Sequence, residues 1–278
     1  MSVLVITAII LVGGFLAGLL GALTGLGGGM IIVPLLAIGL GVNIRYAIGA
    51  SLISIIATSS GAAAAYVREG FTNMRIGMFL EIATTIGALI GALIAGLVST
   101  SFIAVVFAAV LTYSAYLSLR PRVEHVSVDA SHPWSRSLRL NGTYPTADGE
   151  QAYGVQRVGI GFSLMLLAGT LSGLLGIGSG AVKVLAMDQA MRLPFKVSTT
   201  TSNFMIGVTA AASAGVYLRR GYIDPGLSFA VMLGVLGGAF VGSRLLTRAQ
   251  PRRLRQIFAV VVVFLAAEMV YKALSGRL

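Results

Sequence analysis

The sequence contains no cysteine, and only 10% of its 278 residues are charged. The lack of cysteine excludes disulfides, thiolate metal sites and cysteine nucleophiles together. The two histidines, His125 and His132, lie outside every apolar segment; they could pair on a metal, but we interpret them as solvated side chains. No two carboxylates form a motif for acid–base chemistry either. The sequence therefore predicts no catalytic residues, no metal site and no cofactor.

The composition is dominated by apolar residues. Hydrophobic side chains make up 56% of the chain and the mean hydropathy is +0.92, more than a soluble domain of this size needs for its core. The net charge of +11 could suggest nucleic acid, but the basic residues lie between the apolar runs, where orientation signals of membrane proteins occur. The N-terminus lacks a positively charged leader and a small-residue cleavage site, so we expect a retained first helix. We predict a multi-pass membrane protein, surrounded by lipid and without a nucleic-acid partner.

The chain contains a long internal repeat. A window in the first half matches a window 151 residues downstream without a gap. The matched pairs include Gly18 and Gly169, Ser51 and Ser202, Tyr66 and Tyr217, Arg68 and Arg219, and Gly91 and Gly242. Because both windows are almost wholly apolar, they indicate a duplicated membrane unit, which is typical of transporters.

Five apolar segments can be drawn in each half. They span about 3–23, 30–41, 46–67, 76–97 and 101–119, and then about 157–175, 181–191, 197–218, 226–246 and 256–274. The second segment of each half is too short to cross as a straight helix, since about twelve residues rise only about 18 Å. We interpret these two as broken, steeply tilted or half-spanning helices.

The basic residues favour an arrangement in which all ten segments cross. Fourteen of them then lie on one side and five on the other, whereas re-entrant short segments would make the two sides nearly equal. The excess marks the cytoplasmic side, which holds the central loop, while both termini face outward. Because five crossings is an odd number, the two repeats must be inverted. We therefore predict an all-α polytopic membrane protein of two inverted repeats, each with a short helix broken by glycines.

The sizeable polar stretch, residues 120–156, separates the repeats. It contains the only tryptophan, Trp134, and three of the seven prolines. Alternation on both sides of the Asn141-Gly142 pair predicts a small hairpin with its turn at that pair. The predicted organisation is a first transmembrane repeat, a cytoplasmic linker loop and a second transmembrane repeat, at 1–119, 120–156 and 157–278.

A glycine cluster precedes each short segment. The first reads GLLGALTGLGGGMIIVP from Gly18 to Pro34, and the second reads GTLSGLLGIGSGAVK from Gly169 to Lys183. Within a membrane such a run breaks the helix, and the freed backbone groups must be buried in protein or line a wet cavity. The helix that restarts after each break offers N–H donors and the positive end of its dipole to an anion. Close helix packing is the alternative role for these glycines.

We predict substrate contacts at the ends of both clusters, namely Gly27, Gly28, Gly29, Gly178, Ser179 and Gly180. We assign packing to the two GxxxG pairs further along, Gly87 with Gly91 and Gly238 with Gly242.

The paired glycine segments, each opening a half of four or five spans, resemble the sulfite exporter TauE/SafE family, also called the toluene-sulfonate uptake permease group. The resemblance covers nearly the whole chain outside the linker. It implies a permease for small sulfur-containing anions such as sulfite, sulfonates, sulfoacetate or thiosulfate. One departure is that Pro34 has Leu185 as its repeat equivalent, so the second half lacks that proline.

Lys183 is a cation inside an apolar segment, three residues after Gly180. A lysine within a span is costly and indicates function, here a contact with the substrate anion or a gate. Asp188 is a candidate partner unless it lies near the water interface. In the alternative, the short helix ends near the interface and the Lys183 ammonium extends to water.

Hydroxyl and amide side chains gather in the third segment of each half. They can donate to the oxygens of a sulfur oxyanion without the cost of a full charge, and they can also join helices. Of these we predict Ser51, Ser202 and Asn203 as substrate contacts. Glu81 and Glu268 are intramembrane carboxylates that either carry protons or form ion pairs near the interface.

The predicted function is that of a permease that moves a small sulfur-containing anion across the inner membrane, with export by alternating access. A channel or transporter for another small anion or carboxylate is one alternative, and a membrane subunit of a larger complex is another. An intramembrane enzyme would need a buried histidine, a nucleophile–base pair or a metal cluster, and the sequence contains none of these. Ion coupling and formation of a homo-oligomer are open.

Overall fold

The computed structural model describes residues 3–24, 28–68, 70–119, 133–146, 149–246 and 251–275. The first half contains α1 (Val3–Thr24), α2 (Gly29–Pro34), α3 (Ile44–Arg68), α4 (Met74–Ala95) and α5 (Thr100–Leu119). The linker contains α6 (Pro133–Ser137), β1 (Gly142–Thr146) and β2 (Gly149–Tyr153). The second half contains α7 (Val158–Leu175), α8 (Gly180–Leu185), α9 (Phe195–Arg219), α10 (Pro225–Leu246) and α11 (Pro251–Leu274). Each predicted segment corresponds to a helix, and the predicted all-α polytopic class is confirmed.

The repeat is visible in the helix boundaries. α3 and α9 begin and end 151 residues apart, and so do α4 and α10. The short helices α2 and α8 also match, and each widens into a π-helical turn, at Leu35–Gly39 and Ala186–Ala190. Because Pro34 precedes the first turn and Leu185 the second, the proline is not what causes the turn.

Five of the described helices are both long and apolar enough to cross a membrane, in α1, α4, α5, α7 and α10. α3 and α9 are longer, at 25 residues each, but they carry the clusters of serine and threonine. These two helices pack against each other. The polar side chains of the third segments are therefore gathered where the two halves meet.

Glycines allow two pairs of helices to approach closely, α1 with α10 and α4 with α7. A Cβ at Gly91 would collide with the backbone carbonyl of Thr170 in α7, and one at Gly238 with that of Phe15 in α1. Both crossings join a helix of one half to a helix of the other. The packing predicted for the GxxxG pairs is confirmed at Gly87, Gly91, Gly238 and Gly242.

Two contacts give the relative directions of α3 and α9. Tyr46, near the start of α3, packs edge-on against Tyr222, which lies just after α9. Further along α3, Ser59 lies beside Gly207 in the middle of α9. The two helices therefore run in opposite directions, although they occupy equivalent places in the repeat.

Arginines mark one end of the bundle. Arg45 and Arg220 donate hydrogen bonds to backbone carbonyls in and just after the last turn of α4. These guanidinium groups satisfy carbonyls that have no partner within the helix, and they complement the negative end of its dipole. We call this the arginine end.

The linker packs onto the opposite end of α4 through Asn73. The side-chain oxygen of Asn73 accepts from the N–H of Ile76 and caps α4, while its amide donates to the carbonyl of Leu140 and the hydroxyl of Tyr153. Leu140 and Tyr153 are buried in an apolar cluster with Ile76 and Met191. Burial raises the pKa of Tyr153, and the bond from Asn73 partly offsets that shift. We call this the linker end.

The hairpin in the linker is confirmed, but its predicted turn is wrong. Gly142 is the first residue of β1 and pairs with Tyr153, and the last pair is Thr146 with Gly149, so the Asn141-Gly142 pair lies at the open end of the hairpin. The side-chain oxygen of Asn141 accepts from the N–H of Val155. Asn141 therefore anchors the start of the hairpin, which leaves it unsuited to the tight turn that its sequence suggests.

Candidate functional site

α7 and α8 are separated by a break in which the backbone is left-handed. The φ angle is +65° at Gly176, +68° at Gly178 and +44° at Ser179. Glycine adopts these angles without penalty, whereas at Ser179 they cost about 1–2 kcal/mol. Such strain persists only where the surroundings hold it, and the buried Ser179 hydroxyl donates to the carbonyl of Ala168 at 2.6 Å.

The corresponding break between α1 and α2 is described from Gly28 onward. Gly27, predicted as a substrate contact, lies outside the described residues. The carbonyl of Gly28 accepts from the N–H groups of Ile31 and Ile32, so that α2 begins at Gly29. A helix therefore restarts directly after each glycine cluster.

The two breaks meet at Gly29. A Cβ on Gly29 would lie 2.8 Å from the Ser51 hydroxyl oxygen and 3.2 Å from the carbonyl oxygen of Gly176. Ser51 donates to that same carbonyl at 2.7 Å. The start of α2 in the first half is thus in contact with the end of α7 in the second.

From this point the second break extends towards α9. A Cβ on Gly178 would lie 2.8 Å from the Ile206 side chain, and the carbonyl of Gly180 accepts from Ser202 at 3.4 Å. The start of α8 packs mainly against α9 and the start of α2 against α3. A Cβ on Gly29 or on Gly178 would nevertheless reach Cδ1 of Ile55 on α3, at 2.7 and 3.6 Å, so Ile55 lies beside both breaks.

The three serines predicted as substrate contacts are all hydrogen-bonded to backbone. Ser51 donates to Gly176, Ser179 to Ala168, and Ser202 to Gly180. The carbonyl of Gly176 lies in the break itself, where the helical ladder no longer supplies a donor, whereas those of Ala168 and Gly180 belong to α7 and α8. Asn203 follows on α9 and is half-buried, and no hydrogen bond among the described residues joins it to either break.

Lys183 lies on α8 one turn after the second break, and its side chain is 0% exposed. Its ammonium donates to the hydroxyl of Thr209 at 2.5 Å, and that hydroxyl is 2.7 Å from Oε1 of Glu81. The alternative in which the ammonium extends to water is therefore wrong. Asp188, the partner considered from the sequence, is half-buried in the π-helical turn after α8.

Glu81 is a buried carboxylate on α4, 8% exposed. Its Oε1 also accepts from Thr85 at 3.2 Å, whereas its Oε2 has no hydrogen-bond partner among the described residues. A buried cation and a buried anion that share one hydroxyl offset part of the cost of burying either. Lys183, Thr209 and Glu81 thus form a chain of polar groups that joins α8, α9 and α4; we call it the Lys–Thr–Glu chain.

The Lys–Thr–Glu chain has no counterpart at the repeat-related positions. The equivalents of Lys183, Thr209 and Glu81 are Ile32, Thr58 and Met232. The hydroxyl of Thr58 donates to the carbonyl of Ser54 in its own helix. The other predicted carboxylate, Glu268, is half-buried on α11, which packs against α5.

Thr209 and Gly176 are candidates that the sequence analysis missed. Thr209 lies seven residues beyond Ser202, outside the polar cluster of its segment, but its repeat equivalent Thr58 is also a threonine. Gly176 is matched by Gly25 in the same way. Repeat matching within the apolar segments could therefore have found both residues.

Two other features of the described surface are not part of this site. An apolar groove of about 520 Å³ lies between α1 and the π-helical turn after α2, with walls that include Val12, Leu16, Leu35 and Leu40. None of the candidate residues lines it. The described residues also contain no group of three or more His, Asp or Glu side chains placed to hold a metal ion.

Comparison with known proteins adds a family and several relatives. A family model described as Sulfite exporter TauE/SafE matches residues 10–269. The probable membrane transporter protein YunE of Bacillus subtilis (strain 168) is 26% identical, over 96% of this chain and 98% of its own length. A probable membrane transporter protein of Xylella fastidiosa (strain 9a5c) is 26% identical, over 94% of this chain and 92% of its own. YjnA of Bacillus subtilis, also a probable membrane transporter protein, is 28% identical over 92% and 96%. No solved structure matches the chain significantly.

Proposed function

This chain belongs to the sulfite exporter TauE/SafE family, and we propose that it is an inner-membrane permease that exports a small sulfur-containing anion. The substrate class comprises sulfite, organosulfonates such as sulfoacetate, and thiosulfate. Membrane transport is the part common to the family and to the names of the relatives. The substrate class rests on the family description together with the chemistry of the site.

Lys183 is the observation that carries this proposal. A fully buried ammonium in an apolar environment is costly unless an anion accompanies it, and Glu81 reaches this one only through the Thr209 hydroxyl. It has three donors, and one of them bonds Thr209. The remaining donors suit the oxygens of a sulfonate or sulfite.

The backbone breaks contribute the second element of the proposed site. The first N–H groups of a helix have no partner within that helix, and both α2 and α8 begin inside the bundle. The glycines at 27–29 and 178–180 let an anion approach this backbone closely, because they carry no side chain. Ser51, Ser179 and Ser202 hold the breaks in place, and Asn203 on α9 is the further donor that we propose for the substrate.

Transport by alternating access is supported by the directions of the helices. α3 and α9 are repeat equivalents that run in opposite directions. This is the relation that two inverted repeats require, with a first repeat of 1–119, a linker of 120–156 and a second repeat of 157–278. Inverted repeats allow one site near the middle of the membrane to open to either side in turn.

The test is a binding and transport panel on the purified full-length protein. Sulfite, sulfoacetate, thiosulfate, taurine and acetate are compared by thermal shift, and uptake of the labelled compounds is measured in proteoliposomes. We expect the sulfur oxyanions to raise the melting temperature, and their uptake to saturate. A stronger response to acetate would favour a carboxylate transporter. Uptake that never saturates would favour a channel, and a stoichiometric co-purifying protein would favour a subunit of a larger complex.

A further inference from the structure

We propose that the Lys–Thr–Glu chain couples the substrate to a proton: a monovalent anion replaces Glu81 as the counter-charge of Lys183, and Glu81 takes up one proton. This inference rests on the proposed function and specifies its ion coupling. For a monovalent anion the transported unit is then one anion plus one proton, with no net charge.

The argument begins with the balance of charge in a buried site. With an ammonium at Lys183 and a carboxylate at Glu81, joined through Thr209, the site without substrate has no net charge. An anion bound at Lys183 would leave the site with one uncompensated negative charge, which is expensive in a low-dielectric interior. A proton on Glu81 restores neutrality. The loaded and the empty site then both have zero net charge.

The carboxylate has a free position for this proton. Oε1 of Glu81 is held by Thr209 and Thr85, whereas Oε2 is buried and has no partner among the described residues. A carboxylic acid protonated at Oε2 keeps Oε1 as an acceptor, so protonation by itself breaks neither threonine bond. Protonation therefore needs no rearrangement of α4 or α9.

Thr209 is suited to link the two events. Its hydroxyl has one proton and lies 2.7 Å from Oε1 of Glu81 and 2.9 Å from the carbonyl of Met205. While Glu81 is charged, the hydroxyl donates to Glu81 and accepts from Lys183. Once Glu81 is protonated, the same proton can turn to Met205. The attraction between Lys183 and Glu81 is thereby weakened as the anion arrives.

Few other charges face Glu81 from the helices packed against α4, which are α7 and α9. α7 contains no titratable residue between 158 and 175. The titratable groups of α9 lie towards its two ends and are Lys196, Tyr217 and Arg219, followed by Arg220 just beyond the helix. Arg220 bonds the carbonyls of Ala92 and Leu93, about three turns of α4 away from Glu81. Other titratable groups towards the linker end include Arg75 on α4 itself, Arg157 before α7, Asp188 in the π-helical turn after α8, Arg192 just beyond that turn, and Arg136, Arg139, Tyr144, Glu150 and Tyr153 in the linker. Lys183 is therefore the cation that shares a hydrogen-bonded hydroxyl with Glu81.

The experiment uses the full-length protein in proteoliposomes with two probes of single charge, labelled methanesulfonate and labelled hydrogensulfite in mildly acidic buffer. A trapped pH dye counts protons, and a valinomycin-induced potassium diffusion potential sets the voltage. For the wild type we expect one proton to enter with each anion and a rate that does not respond to voltage. As the pH is raised, the apparent Kd for the anion should rise by up to about tenfold per pH unit, over the range in which Glu81 must take up a proton before the anion binds.

The Glu81→Gln variant should behave differently from the wild type, because the glutamine side chain is neutral both with and without a bound anion. The empty site then carries the charge of Lys183, while the loaded site is neutral. We expect this variant to keep anion exchange, to lose proton uptake, and to become voltage-dependent. A residue with only a structural role would lower all rates without creating a voltage response. Thr58→Val, at the repeat equivalent of Thr209, is the matched control and should retain proton uptake and voltage independence.

The outcomes separate the two proposals. Anion uptake by the wild type without protons overturns the coupling proposal alone, and so does proton uptake that persists in Glu81→Gln. If neither probe is taken up, and thiosulfate and sulfoacetate are not taken up either, the proposed function is overturned as well. The wild-type proton count needs no variant, so the coupling is tested even if Glu81→Gln does not fold.

Discussion

Lys183 and Glu81 depend on each other at the scale of single residues. Removal of one charge leaves the other buried without compensation, which typically costs about 3–5 kcal/mol. A single substitution therefore changes stability and binding together. The variants that test a role in binding must keep the charge of the site balanced.

The first prediction concerns the cation. Lys183→Met should weaken binding of the sulfur oxyanion by about 1.5–3 kcal/mol, or roughly ten- to a hundredfold in Kd, because a charge-assisted contact is lost. Lys183→Arg should lose less, since it keeps the charge. The double variant Lys183→Met/Glu81→Gln should recover most of the melting temperature but not the binding. Calorimetric binding together with thermal unfolding measures both effects. Wild-type affinity in the double variant would contradict a substrate contact.

The sequence identifies Lys183 but not its surroundings. A lysine in an apolar run can be recognised without a structure. Its link to Glu81 depends on how α8 and α4 face α9, and Thr209 is 128 residues from Glu81 along the chain. The serines show a second limit, because nothing in their spacing indicates that Ser51 and Ser202 donate to backbone carbonyls at the breaks.

At the scale of elements, glycines in this fold occupy two different kinds of contact. Those in the α1–α10 and α4–α7 crossings allow backbone to touch backbone. Gly29 instead faces the ends of two side chains, Cδ1 of Ile55 at 2.7 Å and Oγ of Ser51 at 2.8 Å from an added Cβ. Substitutions in the two groups should therefore have different consequences.

The second prediction compares Gly29→Ala with Gly91→Ala. An alanine at position 29 displaces Ser51 from the carbonyl of Gly176, so we expect lost transport and a stability cost near that of one hydrogen bond, about 1 kcal/mol. An alanine at position 91 meets the carbonyl of Thr170, so α4 and α7 must separate, at a cost of about 1–3 kcal/mol or more. Uptake per folded protein and the melting temperature distinguish them. Normal uptake by Gly29→Ala would argue against an anion site at the breaks.

The third prediction concerns the two helix caps that the repeat makes equivalent. Asp224 caps α10 through the N–H of Leu227, and Asp224→Ala should cost about 1 kcal/mol. Asn73→Ala should cost about 2–3 kcal/mol, because it also removes the bonds to Leu140 and Tyr153 in the linker. Thermal unfolding of both variants in detergent measures the difference. Equal losses would mean that the linker contributes nothing through Asn73.

Helix positions are the part of the elements that the sequence predicts well. Most predicted ends lie within two residues of the observed ones, because apolar length and flanking polar residues both limit a span. α11 is the exception: it starts at Pro251, five residues before the predicted start, because its first turn contains the charged Arg252, Arg253 and Arg255. The misplaced hairpin turn has a similar origin, since the tertiary contacts of Asn141 outweigh its local preference.

At the scale of the whole molecule, the arginine end and the linker end are the two faces that a membrane would separate. Arg45 and Arg220 lie at the first, and Asn73 with the docked linker lies at the second. The basic residues that the ten-crossing arrangement assigns to the outside include both of these arginines. The direction of each helix follows from tertiary contacts, whereas the sequence supplies only the number of segments and the distribution of charge.

The fourth prediction is that the linker faces the cytoplasm and the C-terminus faces outward. Ala130→Cys and Gly276→Cys, introduced one at a time into the cysteine-free chain, are treated with an impermeant thiol reagent in intact cells. Only the cysteine at 276 should react, because the arrangement with fourteen basic residues in the cytoplasm places the linker inside and the C-terminus outside. Lysed cells, in which both should react, are the control. Reaction at 130 alone, or at both positions in intact cells, would overturn the ten-crossing arrangement.

The glycine-lined crossings also have a mechanical consequence. Backbones in direct contact cannot slide past each other without a collision, so α1 with α10 and α4 with α7 are expected to move as two rigid bodies. Each body takes one helix from either half of the chain. For the alternating access proposed above, we therefore expect the moving parts to be these two mixed pairs, which pack on α3 and α9, rather than the two copies created by the duplication.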